Sequence, residues 1–175
     1  VCKDWKKIIN LLLKKDRYIT KYSVLSSPNL IIYSSLYLNL KYNDKVIIEI
    51  IKLENLETLK FLNKQIKISK KKFLDIAIEL HNLNIIKWLY TNGCIFDYNT
   101  FNIAISTGNL DILKWLFDNK CKFDEYTFNY AAINGNLYIM KWLLSIGCKF
   151  STNTLHNAIY NGNLDNIKWL ILYQC

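Results

Sequence analysis

Four tryptophans, Trp88, Trp115, Trp142 and Trp169, stand 27 residues apart, and that step limits the fold more than any other feature of the chain. Lys87, Lys114, Lys141 and Lys168 precede them, and Leu89, Leu116, Leu143 and Leu170 follow. Ala77, Ala104, Ala131 and Ala158 keep the same step. So do Asn82, Asn109, Asn136 and Asn163, each followed by a leucine. Cys94, Cys121, Cys148 and Cys175 recur in phase, as do Phe96, Phe123 and Phe150. One period earlier Asn55, Leu56, Lys60, Phe61 and Leu62 hold their places, with Ile50 in the alanine position. A further period back, at Ser34, the pattern is lost. A fixed period in this range marks an array of one supersecondary unit.

Each unit reads as two helices. Between Asp97 and Lys120 the first is expected over about Tyr98 to Thr107. Gly108 suits the left-handed residue that ends it. Asn109 is placed to cap the second helix, with Asp111 near its positive end. Leu110, Leu113, Trp115 and Leu116 follow at mixed three- and four-residue spacings. A loop with Cys121 and Phe123 leads to Asp124, the next cap. A lone pair of such helices cannot bury its apolar face, whereas stacked pairs bury it together. The expected fold is therefore all-α, a solenoid of stacked helix-turn-helix repeats over residues 45–175. Residues 1–44 are expected to form a helical N-terminal cap. Pro28, preceded by Ser26 and Ser27, predicts a helix running there to about Lys41.

The run Gly108-Asn109-Leu110-Asp111-Ile112-Leu113-Lys114-Trp115-Leu116 resembles the second helix of an ankyrin repeat. Thr154-Leu155-His156-Asn157-Ala158 resembles the opening of its first helix, and that threonine recurs at Thr100 and Thr127. The usual proline after the threonine is absent, and a period of 27 leaves little room for a β-hairpin finger. The loop at 92–97 is similar to that of a short ankyrin variant of giant DNA viruses and some protists and algae. The resemblance implies a fold of ankyrin type and a protein partner of unknown identity. It implies contact through the concave face of the first helices. The non-repeating positions there are the expected partner contacts: Tyr98, Asn99 and Asn102, then Glu125, Tyr126 and Asn129, then Thr152, Asn153 and Asn157. In the same family a histidine placed like His156 usually bonds loop backbone.

A second resemblance lies at the start. Val1-Cys2-Lys3-Asp4-Trp5-Lys6-Lys7-Ile8 is similar to the last helix of an F-box, which often ends Val-Cys-Lys-x-Trp. It implies that residues 1–15 close such a box and that Trp5 contributes to a Skp-type adaptor site. The repeats would then hold the substrate of a ubiquitin ligase, in the host cytoplasm if the protein is viral. A first residue that is valine points to a piece of a longer chain.

Composition narrows the remaining classes. The 175 residues suffice for a core, and 51% hydrophobic with 21% charged residues is not a disordered composition. One proline and five glycines disfavour a turn-rich β-sandwich or barrel. No apolar run reaches the ~18 residues of a membrane span, the best being broken by Glu49 and Lys52. The net charge of +9 sits wholly in residues 1–75, with 16 Lys and Arg against 7 Asp and Glu. Residues 76–175 carry 7 of each. A polyanion or nucleic-acid partner for the basic part is thus an alternative function, and a structural or virion-assembly role is another.

Chemical motifs are few. The five cysteines form no close pair of the kind a zinc site uses; the four at the 27-residue step read as small apolar plugs in the inter-repeat loops, and five free thiols suggest a reducing compartment. The tryptophan row suits a core ladder better than a base-stacking platform, since leucines flank it. The lysine column and Lys70-Lys71-Lys72 read as solvated rather than as a phosphate track. His81 stands where Gly108, Gly135 and Gly162 stand in later units. No nucleophile and base, phosphate loop or metal motif is present, so neither an enzyme nor a cofactor is expected.

Overall fold

A computed structural model describes residues 44–65, 69–124, 126–151 and 153–173. The expected helices ahead of residue 44, with Pro28 and Trp5, lie outside the described residues. The chain separates into two compact units, Val1–Ser69 and Lys70–Cys175. In the first, α1 (Asp44–Lys52) pairs with α2 (Leu56–Gln65). In the second, four pairs follow: α3 (Lys70–Glu79) and α4 (Leu83–Thr91), α5 (Tyr98–Thr107) and α6 (Leu110–Asp118), α7 (Thr127–Asn134) and α8 (Leu137–Ser145), and α9 (Asn153–Asn161) and α10 (Leu164–Leu172). Among the described residues the fold is all-helical, as the 27-residue period predicts.

Local chemistry sets the helix ends. The Oδ1 atoms of Asn82, Asn109, Asn136 and Asn163 accept the backbone N–H three residues on, at 3.1–3.2 Å. Asn55 does the same for α2 at 3.0 Å. Each satisfies an amide that the first turn leaves without a partner. The residue just before each cap takes positive φ, at Glu54, His81, Gly108, Gly135 and Gly162. His81 thus adopts the left-handed turn conformation that glycine adopts in later units.

The core of the second unit is laid down in columns at the same step. Ala77, Ala104, Ala131 and Ala158 are fully buried, and a side chain this small lets first helices lie close together. Accordingly α3 packs on α5, α5 on α7, and α7 on α9, while each also packs on its own second helix. Ile85, Ile112 and Ile139 form another buried column, and Leu89, Leu116, Leu143 and Leu170 a third.

Aromatic rings lock successive pairs together. Trp115 meets Tyr90 and Phe96 of the preceding pair edge-on, at 5.7 and 5.8 Å. Trp142 stands edge-on to Phe117 at 6.0 Å and stacks on Phe101 at 6.3 Å. Trp169 repeats this with Phe150 and Phe128. These three indoles are inter-repeat packing groups, as the leucine-flanked spacing predicts, with Phe101 and Phe128 fully buried and the other ring neighbours half-buried.

Candidate protein-binding face

The first helices begin on a recurring carboxylate or hydroxyl pair. Asp97 Oδ1 accepts from the Thr100 amide at 2.8 Å, and Thr100 Oγ1 accepts from the Asp97 amide at 3.2 Å, a closed capping box. Asp124 and Ser151 hold the same place, and their amides donate to Thr127 Oγ1 and Thr154 Oγ1 at 3.0 and 2.9 Å. The threonine hydroxyls then reach back across the joint. Thr127 Oγ1 shares its one proton between Asp124 Oδ1 at 3.1 Å and Asn102 Oδ1 at 3.4 Å, and Thr154 Oγ1 donates to Asn129 Oδ1 at 2.7 Å. Ser151 Oγ also donates to Asn129 Oδ1, at 2.9 Å.

The first joint is ionic instead. Lys71 Nζ pairs with Asp97 at 2.8 Å and with Asp75 at 3.2 Å, and donates to Thr100 Oγ1 at 2.6 Å. Burial alone would raise the Asp97 pKa. The Lys71 ammonium and the Thr100 hydroxyl and amide outweigh it and hold the carboxyl at about 2. Lys70 Nζ donates to the carbonyl of Asn92. Two lysines of the densest basic run are therefore engaged in the solenoid itself. Lys87, Lys114, Lys141 and Lys168 are solvent-exposed on the second helices.

Cys94, Cys121 and Cys148 are buried in the loops between pairs. Burial pushes the Cys121 thiol up to about 12 and that of Cys148 up to about 11, and raises Cys94 as well. Such groups stay protonated and act as apolar filling. Among the described residues no three His, Cys, Asp or Glu are grouped to hold a metal ion. Among the same residues no helix is long and apolar enough to cross a membrane.

The outward face of the first helices departs from this regularity. Between α7 and α9 runs an open groove of about 480 Å³, lined by Tyr126, Asn129, Tyr130, Ile133, Asn153, His156 and Asn157. Tyr126, Tyr130 and Ile133 are exposed although aromatic or aliphatic, at 56%, 44% and 42%. They project opposite to the buried Phe128, Ala131 and Ala132, so α7 is apolar on two faces.

Of the expected contact residues, the groove gathers Tyr126, Asn129, Asn153 and Asn157. Asn129 is only 7% exposed, with its carbonyl oxygen taken up by the joint to α9. Tyr98 and Asn99 are exposed and Asn102 is half-buried on α5, outside this groove. Glu125, Thr152 and Trp5 lie outside the described residues. Sequence reasoning missed Tyr130, Ile133 and the place of His156 along the groove. The signal for the first two was available: with Tyr126 they stand at i, i+4 and i+7 on a stripe separate from the core. His156 is exposed along the groove, whereas the resemblance implies a backbone bond in the loop.

Helix pairs at a constant step, joined by a repeating core and carrying a varied outward face, define a repeat-built scaffold. Residues 101–175 match the family model for ankyrin repeats, in 3 copies. The α3–α4 pair ahead of the matched stretch keeps the same asparagine, alanine, tryptophan and cysteine positions. Ankyrin repeats are a scaffold for protein–protein interaction, and the family is typically non-enzymatic. No curated protein matches the chain.

Proposed function

We propose that this chain is a non-catalytic recognition module that holds a protein partner on the outward face of its first helices. The observation that carries this is the exposed Tyr126, Tyr130 and Ile133 stripe beside Asn153, His156 and Asn157. Apolar side chains kept in water at adjacent positions mark an interaction surface, and tyrosine suits one because it gives large contact area with few rotatable bonds. The test is photo-crosslinking from a benzophenone side chain placed at Tyr126 or Asn153, against one placed at Tyr138. Tyr138 is 80% exposed on the second helix α8. A saturable protein adduct from the first two positions alone is expected. Adducts from Tyr138 alone would overturn the reading.

A second reading rests on Val1–Ile8, similar to the last helix of an F-box. It makes the ankyrin face the substrate receptor of a ubiquitin-ligase adaptor, with Trp5 at the Skp-type adaptor. Co-purification of the full-length protein with such an adaptor, lost on Trp5→Ala, is the expected result. Full-length protein that fails to bind the adaptor removes this reading and leaves the first untouched.

A further inference from the structure

The groove between α7 and α9 has two unlike walls. One is apolar and aromatic, formed by Tyr126, Tyr130 and Ile133. The other is polar, formed by Asn153, His156 and Asn157. Neither α7 nor α9 contains an Asp, Glu, Lys or Arg, in a chain of which 21% is charged. Apart from His156, the side chains that line the groove carry no charge, so a partner's carboxylate or ammonium set against Tyr130, Ile133 and Asn157 has no fixed counter-charge on either helix. The electrostatic match of the groove is therefore an uncharged surface.

The polar wall narrows the backbone form as well. An asparagine amide offers both N–H donors and a carbonyl acceptor. A helical partner has its own backbone groups bonded to one another and could meet these amides only through side chains or water. An extended segment has free N–H and C=O groups to bond them. The apolar wall spans seven residues of helix, about 10 Å at ~1.5 Å per residue, which an extended chain covers in about three residues.

Resting on the first-helix reading above, we propose that this groove binds an extended, uncharged segment of a protein partner. It lays an aliphatic or aromatic side chain against Tyr130 and Ile133. Its backbone bonds to the side chains of Asn153 and Asn157.

Panning random phage-displayed peptides against the full chain tests this. The selected sequences are expected to share a three- or four-residue uncharged motif with one large apolar side chain. A synthetic peptide carrying the motif should bind with an affinity little changed by salt. Tyr130→Ala, Ile133→Ser and Asn157→Ala should each weaken it about tenfold or more, and Tyr138→Ala should not. Circular dichroism of each variant guards against loss of fold, which is not expected at exposed or half-buried positions. N-methylation of one backbone amide in the motif should weaken binding as strongly as a groove variant. Motifs that carry charge, or that bind as helices with i, i+4 anchors, overturn the proposal while leaving the first-helix reading standing. Peptides insensitive to every first-helix substitution overturn both. Failure to enrich any peptide overturns the proposal alone, because the crosslinking result judges the wider reading.

Discussion

Asn166 occupies the column filled by Ile85, Ile112 and Ile139 in the earlier pairs, and like them it is buried. Neither its Oδ1 nor its Nδ2 has a hydrogen-bond partner. An amide taken out of water without compensation costs about 1–3 kcal/mol. Asn166→Ile restores the column and should raise stability by about that amount. It should move the urea midpoint upward with an unchanged slope, and a lowered midpoint would mean that the amide is satisfied in solution. Asp97 gives a pH prediction. Its folded pKa is held at about 2, below the ordinary 3.8, so the folded state favours the ionised form. That contribution is complete above about pH 4 and is lost as pH falls towards 2. The carboxylate is 51% exposed, so solvent screening limits the effect to about 0.5–1 kcal/mol. Asp97→Asn should lower stability at pH 6 and flatten the acid limb between pH 4 and 2. An unchanged limb would assign the acid loss to other carboxylates.

At the scale of helices, the tryptophan joints decide how one pair holds the next. Trp142 of α8 touches Phe117 and Phe101 of the preceding pair, so its removal strips one joint of its largest ring. The indole is half-buried, which puts the loss from Trp142→Ala at about 2–4 kcal/mol. Tyr138→Ala, on the same helix but exposed, should change stability by about 0.5 kcal/mol or less. Equal losses in thermal unfolding would deny the joint its role. The helices themselves are readable from the sequence. The expected span of α5, its left-handed Gly108 and the Asn109 cap all recur in the structure. The reason is that a stacked repeat makes its contacts within a unit or with the next one, so local pattern carries most of the fold. The binding face is less readable. On α7 the inward Phe128, Ala131 and Ala132 compete with the outward Tyr126, Tyr130 and Ile133, and spacing alone does not rank two apolar stripes. Non-repetition selects Tyr126 but also Asn129, whose bond to Thr154, 25 residues away, has no signature in the local pattern.

For the second unit as a whole, the columns imply uneven stability. Ile78, Ile105 and Ala132 are fully buried, while Ile159, in the same register on α9, is 56% exposed. Leu172 on α10 is exposed too, and Asn166 leaves its orphan amide in that same pair. The middle pairs, α5–α6 and α7–α8, are covered on both sides by neighbours and by aromatic joints. Stability in a stacked array is close to a sum of unit and nearest-neighbour terms, so a pair with a thinner joint opens first. In a protein of these 175 residues, native-state hydrogen exchange should therefore be faster in α9–α10 than across α5–α8. Asn166→Ile should slow α9–α10 selectively, since it removes a penalty confined to that pair. A peptide seated between α7 and α9 should protect α9 more than α5, because a ligand stabilises the form that binds it by mass action. Equal exchange in all four pairs, shifted together by Asn166→Ile, would mean that the unit opens only as a single block, and the neighbour-by-neighbour account of its stability would fail.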